Sequence, residues 1–230
     1  MVIFGNMIFF DIDDTLFDNS GAEIKAAEWF YTKNQGLNHF AGRDDFVEKW
    51  RTTTETYLQM YIEGRLSFQE QRRYRLRHIF RQSFKKREAD ALFEQYLGRY
   101  EDNWKLFPDA LPCLDRLASL RLGIITNGNT RQQHQKLKEL GIVDRFDTII
   151  VSEDVGVSKP DAQIFRHACK TAGKKPSDCF YVGDKLEIDA RAASDAGLTG
   201  IWLNRNQPKA EQNSLHEIHS LDALPGDKSP

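Results

Sequence analysis

Cysteine is scarce in this sequence, and its three copies have none of the spacings that would assign them a role. Cys113, Cys169 and Cys179 form no C-x-x-C pair, and each lies in an apolar helix or strand pattern. An odd number of separated cysteines argues against a disulfide framework and against a zinc site. We therefore expect three reduced cysteines that pack in the protein interior.

A charge bias and a long hydrophobic run are also missing. The 230 residues contain 32 Lys and Arg against 34 Asp and Glu, so the overall charge gives no indication of a nucleic-acid or membrane-surface partner. No window approaches the roughly 20 apolar residues of a membrane span, and residues 1–10 lack the basic start and cleavage site of a signal peptide. We expect a cytoplasmic protein, either a monomer or a homodimer.

Proline is absent from the first 107 residues, and most of that stretch has a helical pattern. After Asp18 the apolar residues recur at helical spacing, and glycines at positions 36, 42 and 64 separate the segments. We predict a block of four or five helices. Its segments are Ala22 to Tyr31, Asp44 to Met60, Phe68 to Phe84 and Ala89 to Tyr100.

From Leu106 onward, short apolar strands alternate with helices. The predicted helices begin at Pro108-Asp109, run over Thr130 to Leu140 and Pro160 to Ala172, and surround Ala190 to Ala196. The predicted strands are Met7 to Phe10, Leu122 to Thr126, Thr148 to Val151, Cys179 to Val182, Thr199 to Leu203 and a short edge strand near Ile218. This alternation is typical of a parallel sheet.

The position of the helical block determines the predicted domain organisation. The first strand has no crossover helix leading directly to a parallel partner, because the block intervenes. We therefore predict an α/β protein with a Rossmann-like parallel-sheet core, helices on both faces, and an inserted all-α cap domain. The core comprises residues 1–16 and 106–230, and the cap residues 17–105. In open α/β sheets ligands bind outside the carboxyl ends of the strands, where this insertion leaves the core.

The first strand ends abruptly in carboxylates. Phe10 is followed by Asp11, Ile12, Asp13 and Asp14. Side chains two apart on an extended backbone point the same way, so Asp11 and Asp13 are expected to share one side just past the strand. Two such acids repel each other unless a cation lies between them or one stays protonated. An acidic, solvated turn is the alternative for a D-x-D pattern alone.

Polar residues follow the other predicted strands as well. Thr126 and Asn127 end the second strand, Lys159 follows the third, and Asp184 and Asp189 follow the fourth. Taken singly, these have commoner explanations, namely an ordinary turn, a solvated lysine and a helix N-cap. At the ends of four strands, three acids (Asp11, Asp13 and Asp184), a threonine and a lysine together indicate an oxygen-rich site suited to Mg²⁺ and a phosphate.

This arrangement resembles the haloacid dehalogenase (HAD) superfamily, in its phosphatase version with two aspartates. The resemblance covers the core from Met7 to Asn204, and the helical insertion resembles the superfamily's C1-type cap. Its four motifs are matched in order by Asp11 with Asp13, by Thr126, by Lys159, and by Asp184 with Asp189. The acid at Asp13 disfavours a dehalogenase, which needs no such group.

The resemblance implies a mechanism in which Asp11 attacks phosphorus and forms an aspartyl-phosphate. Asp13 would protonate the leaving oxygen and then deprotonate the attacking water. Mg²⁺ would be held by the Asp11 carboxylate, the Asp13 main-chain carbonyl and Asp184.

The remaining motif residues are implied to bind the phosphate group. Thr126, Asn127 and Lys159 would contact phosphate oxygens, and Lys159 would also offset the repulsion between Asp11 and the phosphate. Asp189 would orient Lys159 or a metal-bound water.

The implied substrate is a small phosphorylated metabolite. Gly123 to Gly128 and Val151 to Pro160 resemble the bacterial 5′-nucleotidase branch, so we expect nucleoside monophosphates. Trp50, Tyr57 and Tyr61 could stack on a base, although packing between helices is the commoner role of such residues. A sugar phosphate, flavin mononucleotide or phosphoglycolate are the alternatives.

A basic stretch within the insertion leaves one further alternative open. Residues 65–87 contain nine Lys and Arg against one acid, Glu70. The apolar stripe formed by Leu76, Ile79, Phe80 and Phe84 indicates an amphipathic helix with a solvated basic face, which we favour. A polynucleotide 3′-phosphatase would also use such a face, although a nucleic-acid partner is not expected. A phosphate-binding regulatory protein without turnover is disfavoured by the intact catalytic motifs.

Overall fold

The computed structural model describes residues 7–37, 39–205 and 215–224. The chain divides into two compact units, one formed by Met1–Asp18 with Lys105–Pro230 and the other by Asn19–Trp104. From the sequence we placed these boundaries after residue 16 and before residue 106. No helix among the described residues has the length and apolar character needed to cross a membrane.

The second unit consists of long helices around an aromatic core. The helices are α1 (Asn19–Lys33), α2 (Arg43–Ile62), α3 (Phe68–Phe80) and α4 (Lys86–Glu101). A reciprocal capping box between Ser67 and Glu70 starts α3. The sequence pattern extended this helix to Phe84, which is wrong, because Arg81 adopts a left-handed conformation (φ 50°) and ends it. The buried aromatic residues are Phe30, Phe46, Trp50, Phe80, Phe93, Tyr96 and Tyr100.

Part of the basic stretch at residues 65–87 is absorbed into the packing of this unit. Arg73 makes a two-bond ion pair with Asp90, with both N–O distances 2.6 Å. Arg72 and Arg75 are buried and lie over rings of the aromatic core. Three of the nine cations therefore stabilise the packing of α3 instead of forming a solvated face, which weakens the argument for a polynucleotide substrate.

The first unit is built on a six-stranded, entirely parallel sheet of order β3-β2-β1-β4-β5-β6. The strands are β1 (Met7–Phe10), β2 (Arg121–Thr126), β3 (Thr148–Val151), β4 (Cys179–Gly183), β5 (Thr199–Leu203) and β6 (His216–Ile218). Every residue of β1 and β4 is buried, so both faces of the central strands are covered. The predicted Rossmann-like α/β fold is confirmed.

The remaining helices connect these strands. They are α5 (Ala110–Arg116), α6 (Thr130–Glu139), α7 (Ser152–Val155), α8 (Ala162–Thr171) and α9 (Ala192–Asp195), the last preceded by a π-helix over Leu186–Arg191. The prediction that Pro160 begins a helix is wrong by two residues, because Asp161 caps α8 by accepting from the Gln163 N–H. All three cysteines are buried and free, as expected from the sequence.

Candidate active site

Asp11 lies at the carboxyl end of the central strand. Its N–H donates to the Val182 carbonyl (2.9 Å), which continues the β1–β4 ladder by one residue. The residue is 6% exposed, and its Oδ1 accepts from Lys159 Nζ at 2.8 Å. Burial raises the pKa of Asp11 to about 6, with Lys159 opposing the shift and nearby Asp189 and Asp13 adding to it. Asp11 is therefore mostly ionised at neutral pH and can act as a nucleophile.

A tight turn after Asp11 fixes the next acid. The Ile12 carbonyl accepts from the Phe17 N–H (3.0 Å), and Asp14 takes a left-handed conformation (φ 58°) while donating to the Phe17 carbonyl (2.8 Å). Arg205 donates to the Thr15 carbonyl from outside the turn (2.8 Å). Because its main chain is held at several points, the turn presents Asp13 from a defined position.

Both carboxylate oxygens of Asp13 are bound by side chains of α6. Lys136 Nζ forms an ion pair with Oδ1, and Gln133 Nε2 donates to Oδ2 at 3.1 Å. The same Gln133 amide donates to Thr126 Oγ1 at 2.7 Å. Sequence reasoning placed Asp13 and Thr126 at this edge of the sheet but missed the two α6 residues. Their i,i+3 spacing on the helix directly after Thr126 is the signal that could have found them.

Lys159 is the central buried cation. Its Nζ donates to Asp189 Oδ1 and to the Tyr181 hydroxyl, both at 2.7 Å, in addition to Asp11. Burial alone would lower the pKa of this ammonium, but the Asp11 and Asp189 carboxylates outweigh burial and raise it above its usual range. Lys159 therefore keeps its charge throughout the physiological pH range. Tyr181 was also missed, and the signal was a hydroxyl in an otherwise apolar buried strand.

Asn127 supports Lys159 through its main chain. The Asn127 Nδ2 donates to the Lys159 carbonyl (2.9 Å), and the Lys159 N–H donates to Asn127 Oδ1 (2.8 Å). This pair of hydrogen bonds joins the loop after β2 to the loop before α8. The side-chain amide is thus engaged with protein, and a phosphate contact by Asn127 stays a prediction.

The carboxylates of Asp11, Asp184 and Asp189 converge, with one oxygen from each lying within 4.8 Å of the others. Asp184 is held in place because Trp202 Nε1 donates to its main-chain carbonyl at 2.8 Å. Its buried Oδ1 has no hydrogen-bond partner in the part of the chain that the structure describes. Burial, followed by repulsion from Asp11 and Asp189, raises the pKa of Asp184 to about 8.

Asp189 differs from the other two acids because both of its oxygens are already used. Oδ1 accepts from Lys159 and from the Tyr181 hydroxyl (3.0 Å), and Oδ2 accepts from the Lys185 N–H (3.0 Å). Gly183 makes room for it, since a Cβ there would lie 2.5 Å from the Asp189 Cγ. Asp189 therefore fits the role of orienting Lys159.

The donor set suits a hard divalent cation. Asp11 and Asp184 offer carboxylate oxygens, and the unpartnered Asp184 oxygen is the kind of buried acceptor that a cation satisfies. A cation would also offset the burial and the repulsion that raise the pKa values of Asp11 and Asp184. The residues present therefore fit Mg²⁺.

Comparison with known proteins agrees with this geometry. Residues 6–197 match the family model of haloacid dehalogenase-like hydrolases. A glyceraldehyde 3-phosphate phosphatase from Methanothermobacter thermautotrophicus is 30% identical over 94% of this chain and 92% of its own length. The pyrimidine 5′-nucleotidase YjjG from Escherichia coli is 35% identical, but over only 58% of this chain and 64% of its own length.

A solved structure supports the fold. The HAD-hydrolase YfnB from Bacillus subtilis, in a crystal form bound to magnesium, is 23% identical and superimposes with a TM-score of 0.79 over 96% of both chains. The sheet order, the carboxylates at the strand ends and the match over residues 6–197 lead to one assignment. The chain belongs to the haloacid dehalogenase-like hydrolases and is a HAD-family phosphatase.

Proposed function

We propose that this chain is a Mg²⁺-dependent phosphomonoester hydrolase that works through an aspartyl-phosphate intermediate and prefers nucleoside 5′-monophosphates. The observation that carries the chemistry is the buried Asp11 carboxylate, which Lys159 binds. It lies near the Asp184 carboxylate, whose Oδ1 has no hydrogen-bond partner among the described residues.

In the first half-reaction, an Asp11 oxygen attacks phosphorus, and the bond from phosphorus to the alcohol oxygen breaks. Lys159 keeps Asp11 ionised and offsets its repulsion with the incoming phosphate, while Thr126 donates its hydroxyl to a phosphate oxygen. The displaced alcohol oxygen takes a proton from Asp13, so the alcohol leaves uncharged.

In the second half-reaction, water attacks the phosphorus of the aspartyl-phosphate. Asp13, now a carboxylate, accepts a proton from that water, and the bond between phosphorus and the Asp11 oxygen breaks. Inorganic phosphate leaves, and both acids return to their starting states.

Asp11 and Asp184 are the acids that we assign to the metal. Asp11 and Asp184 would hold Mg²⁺ with their carboxylates, and Asp13 would contribute its main-chain carbonyl. The bound ion would supply positive charge that offsets the negative charge of the phosphate and of the converging acids. Asp189 acts through Lys159.

The nucleotide preference rests on the relationship to YjjG and on the helical insertion, residues 17–105, which we propose acts as the substrate-recognising cap. Trp50 is buried in the aromatic core and is not available to a base. The stacked pair Tyr57 and Tyr74 (centroids 5.9 Å apart) is a better candidate, since Tyr74 is 40% exposed.

A three-carbon sugar phosphate is the second candidate. The Methanothermobacter relative, whose name specifies glyceraldehyde 3-phosphate, covers more of the chain than YjjG does. A small substrate of this kind would need little contact with an aromatic surface.

A phosphomonoester panel with Mg²⁺ separates these possibilities. It should contain an aryl phosphate, pyrimidine and purine 5′-monophosphates, glyceraldehyde 3-phosphate, flavin mononucleotide and phosphoglycolate. We expect the highest kcat/KM for a nucleotide and a selective loss for nucleotides in Tyr74→Ala. Faster turnover of any other ester would reject the nucleotide assignment, and absence of phosphate release from every ester would reject the phosphatase assignment.

A further inference from the structure

Two buried side chains of α6 have no place in the mechanism described so far. We infer that Gln133 and Lys136 form a clamp that positions Asp13 for proton transfer and links it to the phosphate-binding Thr126. This inference rests on the proposed phosphatase function. The clamp residues contact Asp13 and act through it, so they are positioning residues.

Lys136 is the charged half of the clamp. The side chain is 2% exposed, its Nζ binds Asp13 Oδ1, and the same nitrogen lies 4.7 Å from the centre of the Phe17 ring. Burying a lysine costs the desolvation of its charge and the conformational entropy of a long side chain. An apolar side chain would fill this space without those costs, so the ammonium group itself is what the site uses.

Gln133 is the neutral half and makes the connection to Thr126. Its Nε2 donates to Asp13 Oδ2 (3.1 Å), to Thr126 Oγ1 (2.7 Å) and to the Asn127 carbonyl (3.3 Å). One buried amide therefore joins the loop after β1 to the loop after β2. A shift of either loop would move the proton-transfer group relative to the phosphate site.

The consequence for catalysis is geometric. General acid–base transfer requires the carboxyl group within about 2.6–3.2 Å of the oxygen it serves. With Oδ1 and Oδ2 each held by a different side chain, Asp13 cannot rotate about its own bonds without breaking a contact. A misplacement of about 1 Å can cost on the order of 100-fold in rate.

The test uses leaving groups of different quality. An alkyl ester such as a nucleoside monophosphate needs its leaving oxygen protonated, whereas 4-nitrophenyl phosphate does not. In Lys136→Met we expect kcat to fall about 30-fold on the nucleotide and less than about 3-fold on the aryl ester, with KM within about 2-fold. Lys136→Arg should recover most of the loss. Lys138→Met, at an exposed site of the same helix, is the matched control.

A double-mutant cycle shows whether Lys136 acts through Asp13. In an Asp13→Asn background, Lys136→Met should cause almost no additional loss, because the group that it positions is already gone. Equal losses on both esters, a rise in KM alone, or full additivity in the cycle would each overturn the clamp.

A crystal structure provides the readout that does not need turnover. In Lys136→Met, or in Gln133→Leu should the lysine variant fail to fold, the Asp13 carboxylate should be displaced. A carboxylate that keeps its position would overturn the clamp whatever the kinetics show. If the wild-type protein hydrolysed no phosphate ester, the proposed function would fail, and this structure would still decide the geometry.

Discussion

Each of the two units buries a cation, and the groups that surround the two cations differ. In the α/β unit, Lys159 contacts two carboxylates, those of Asp11 and Asp189, and the Tyr181 hydroxyl. In the helical unit, Arg75 lies 4.9 to 5.5 Å from three aromatic ring centres, and its Nε and Nη2 have no hydrogen-bond partner among the described residues. Directed ion pairs and a hydrogen bond hold the Lys159 ammonium in one position, which suits a residue of a catalytic site. The Arg75 guanidinium instead contacts several ring faces, which suits a residue that packs a core.

This contrast predicts different costs of substitution. Removing one partner of a buried ion pair leaves the other charge exposed to a low dielectric, which typically costs about 3–5 kcal/mol. A cation over an aromatic ring contributes about 0.5–2 kcal/mol. Variants of the two sites therefore test whether the α/β site is organised for catalysis and the helical site for packing.

The largest effect is expected from Asp11→Asn. This change keeps the shape of the side chain but removes the nucleophile, so kcat on 4-nitrophenyl phosphate should fall by at least about 10⁴-fold. The circular dichroism spectrum should not change. Asp195→Asn, at an exposed site in α9, is the matched control and should retain full activity. Substantial turnover by Asp11→Asn would contradict the aspartyl-phosphate route.

Lys159→Met should affect both activity and stability. The change leaves Asp11 and Asp189 facing each other without a counter-ion, so we expect about 3–5 kcal/mol less unfolding free energy in urea. The loss of kcat/KM should be about 100- to 1,000-fold, because the phosphate also loses a cation. A stable and active Lys159→Met protein would show that the carboxylates do not depend on this lysine.

Metal removal should make stability depend on pH. The pKa values of Asp11 (about 6) and Asp184 (about 8) lie above 3.8, the ordinary value for an aspartate. The folded state therefore binds more protons than the unfolded chain between pH 4 and 8, and the unfolding free energy falls as the pH rises through this range.

Thermal unfolding with a chelator and with Mg²⁺ measures this effect. The Tm of the metal-free protein should decrease from pH 5 to pH 8, and Mg²⁺ should raise Tm more at pH 8, where Asp11 and Asp184 together carry more negative charge than at pH 5. Asp184→Asn should flatten the pH dependence and weaken the response to Mg²⁺. A Tm that rises with pH in chelator would contradict the raised pKa values of these two acids.

The smallest effect is expected from Arg75→Met. The methionine keeps contact with the aromatic rings and removes two unpartnered nitrogens, so the two changes partly cancel and the loss should be about 1 kcal/mol. Activity on 4-nitrophenyl phosphate should stay within about 2-fold of the wild type. A loss of stability equal to that of Lys159→Met would remove the contrast between the two sites.

The sequence allowed prediction of those features that depend on the order of elements. The strands Met7–Phe10, Thr148–Val151 and Thr199–Leu203 match their predicted bounds, because each is a short apolar run between polar residues. Asp11 and Lys159 were predicted to meet because parallel strands end at one edge of the sheet. Topology predicted the shared edge, and the structure adds the contact itself, with Lys159 Nζ lying 2.8 Å from Asp11 Oδ1.

The sequence did not predict how a helix is rotated about its axis against its neighbours, or how deeply a given side chain is buried. Gln133 and Lys136 reach Asp13 only because α6 presents that face to the sheet, and a sequence pattern does not define the rotation of a helix against its neighbour. Arg72 and Arg75 were counted as charges of a solvated face, whereas both are buried. The charge count was correct, but it carries no information about which side of α3 faces the aromatic core.

Gly183 lies so close to Asp189 that an uncharged side chain at position 183 would disturb the ion pairs of this site. A methyl group at Gly183 would lie 2.5 Å from the Asp189 Cγ and would force the carboxylate away. Lys159 would then lose one counter-ion, and Asp11 would become its main partner. The absence of a side chain at Gly183 thus has an electrostatic consequence, because it lets the Asp189 carboxylate approach the Lys159 ammonium.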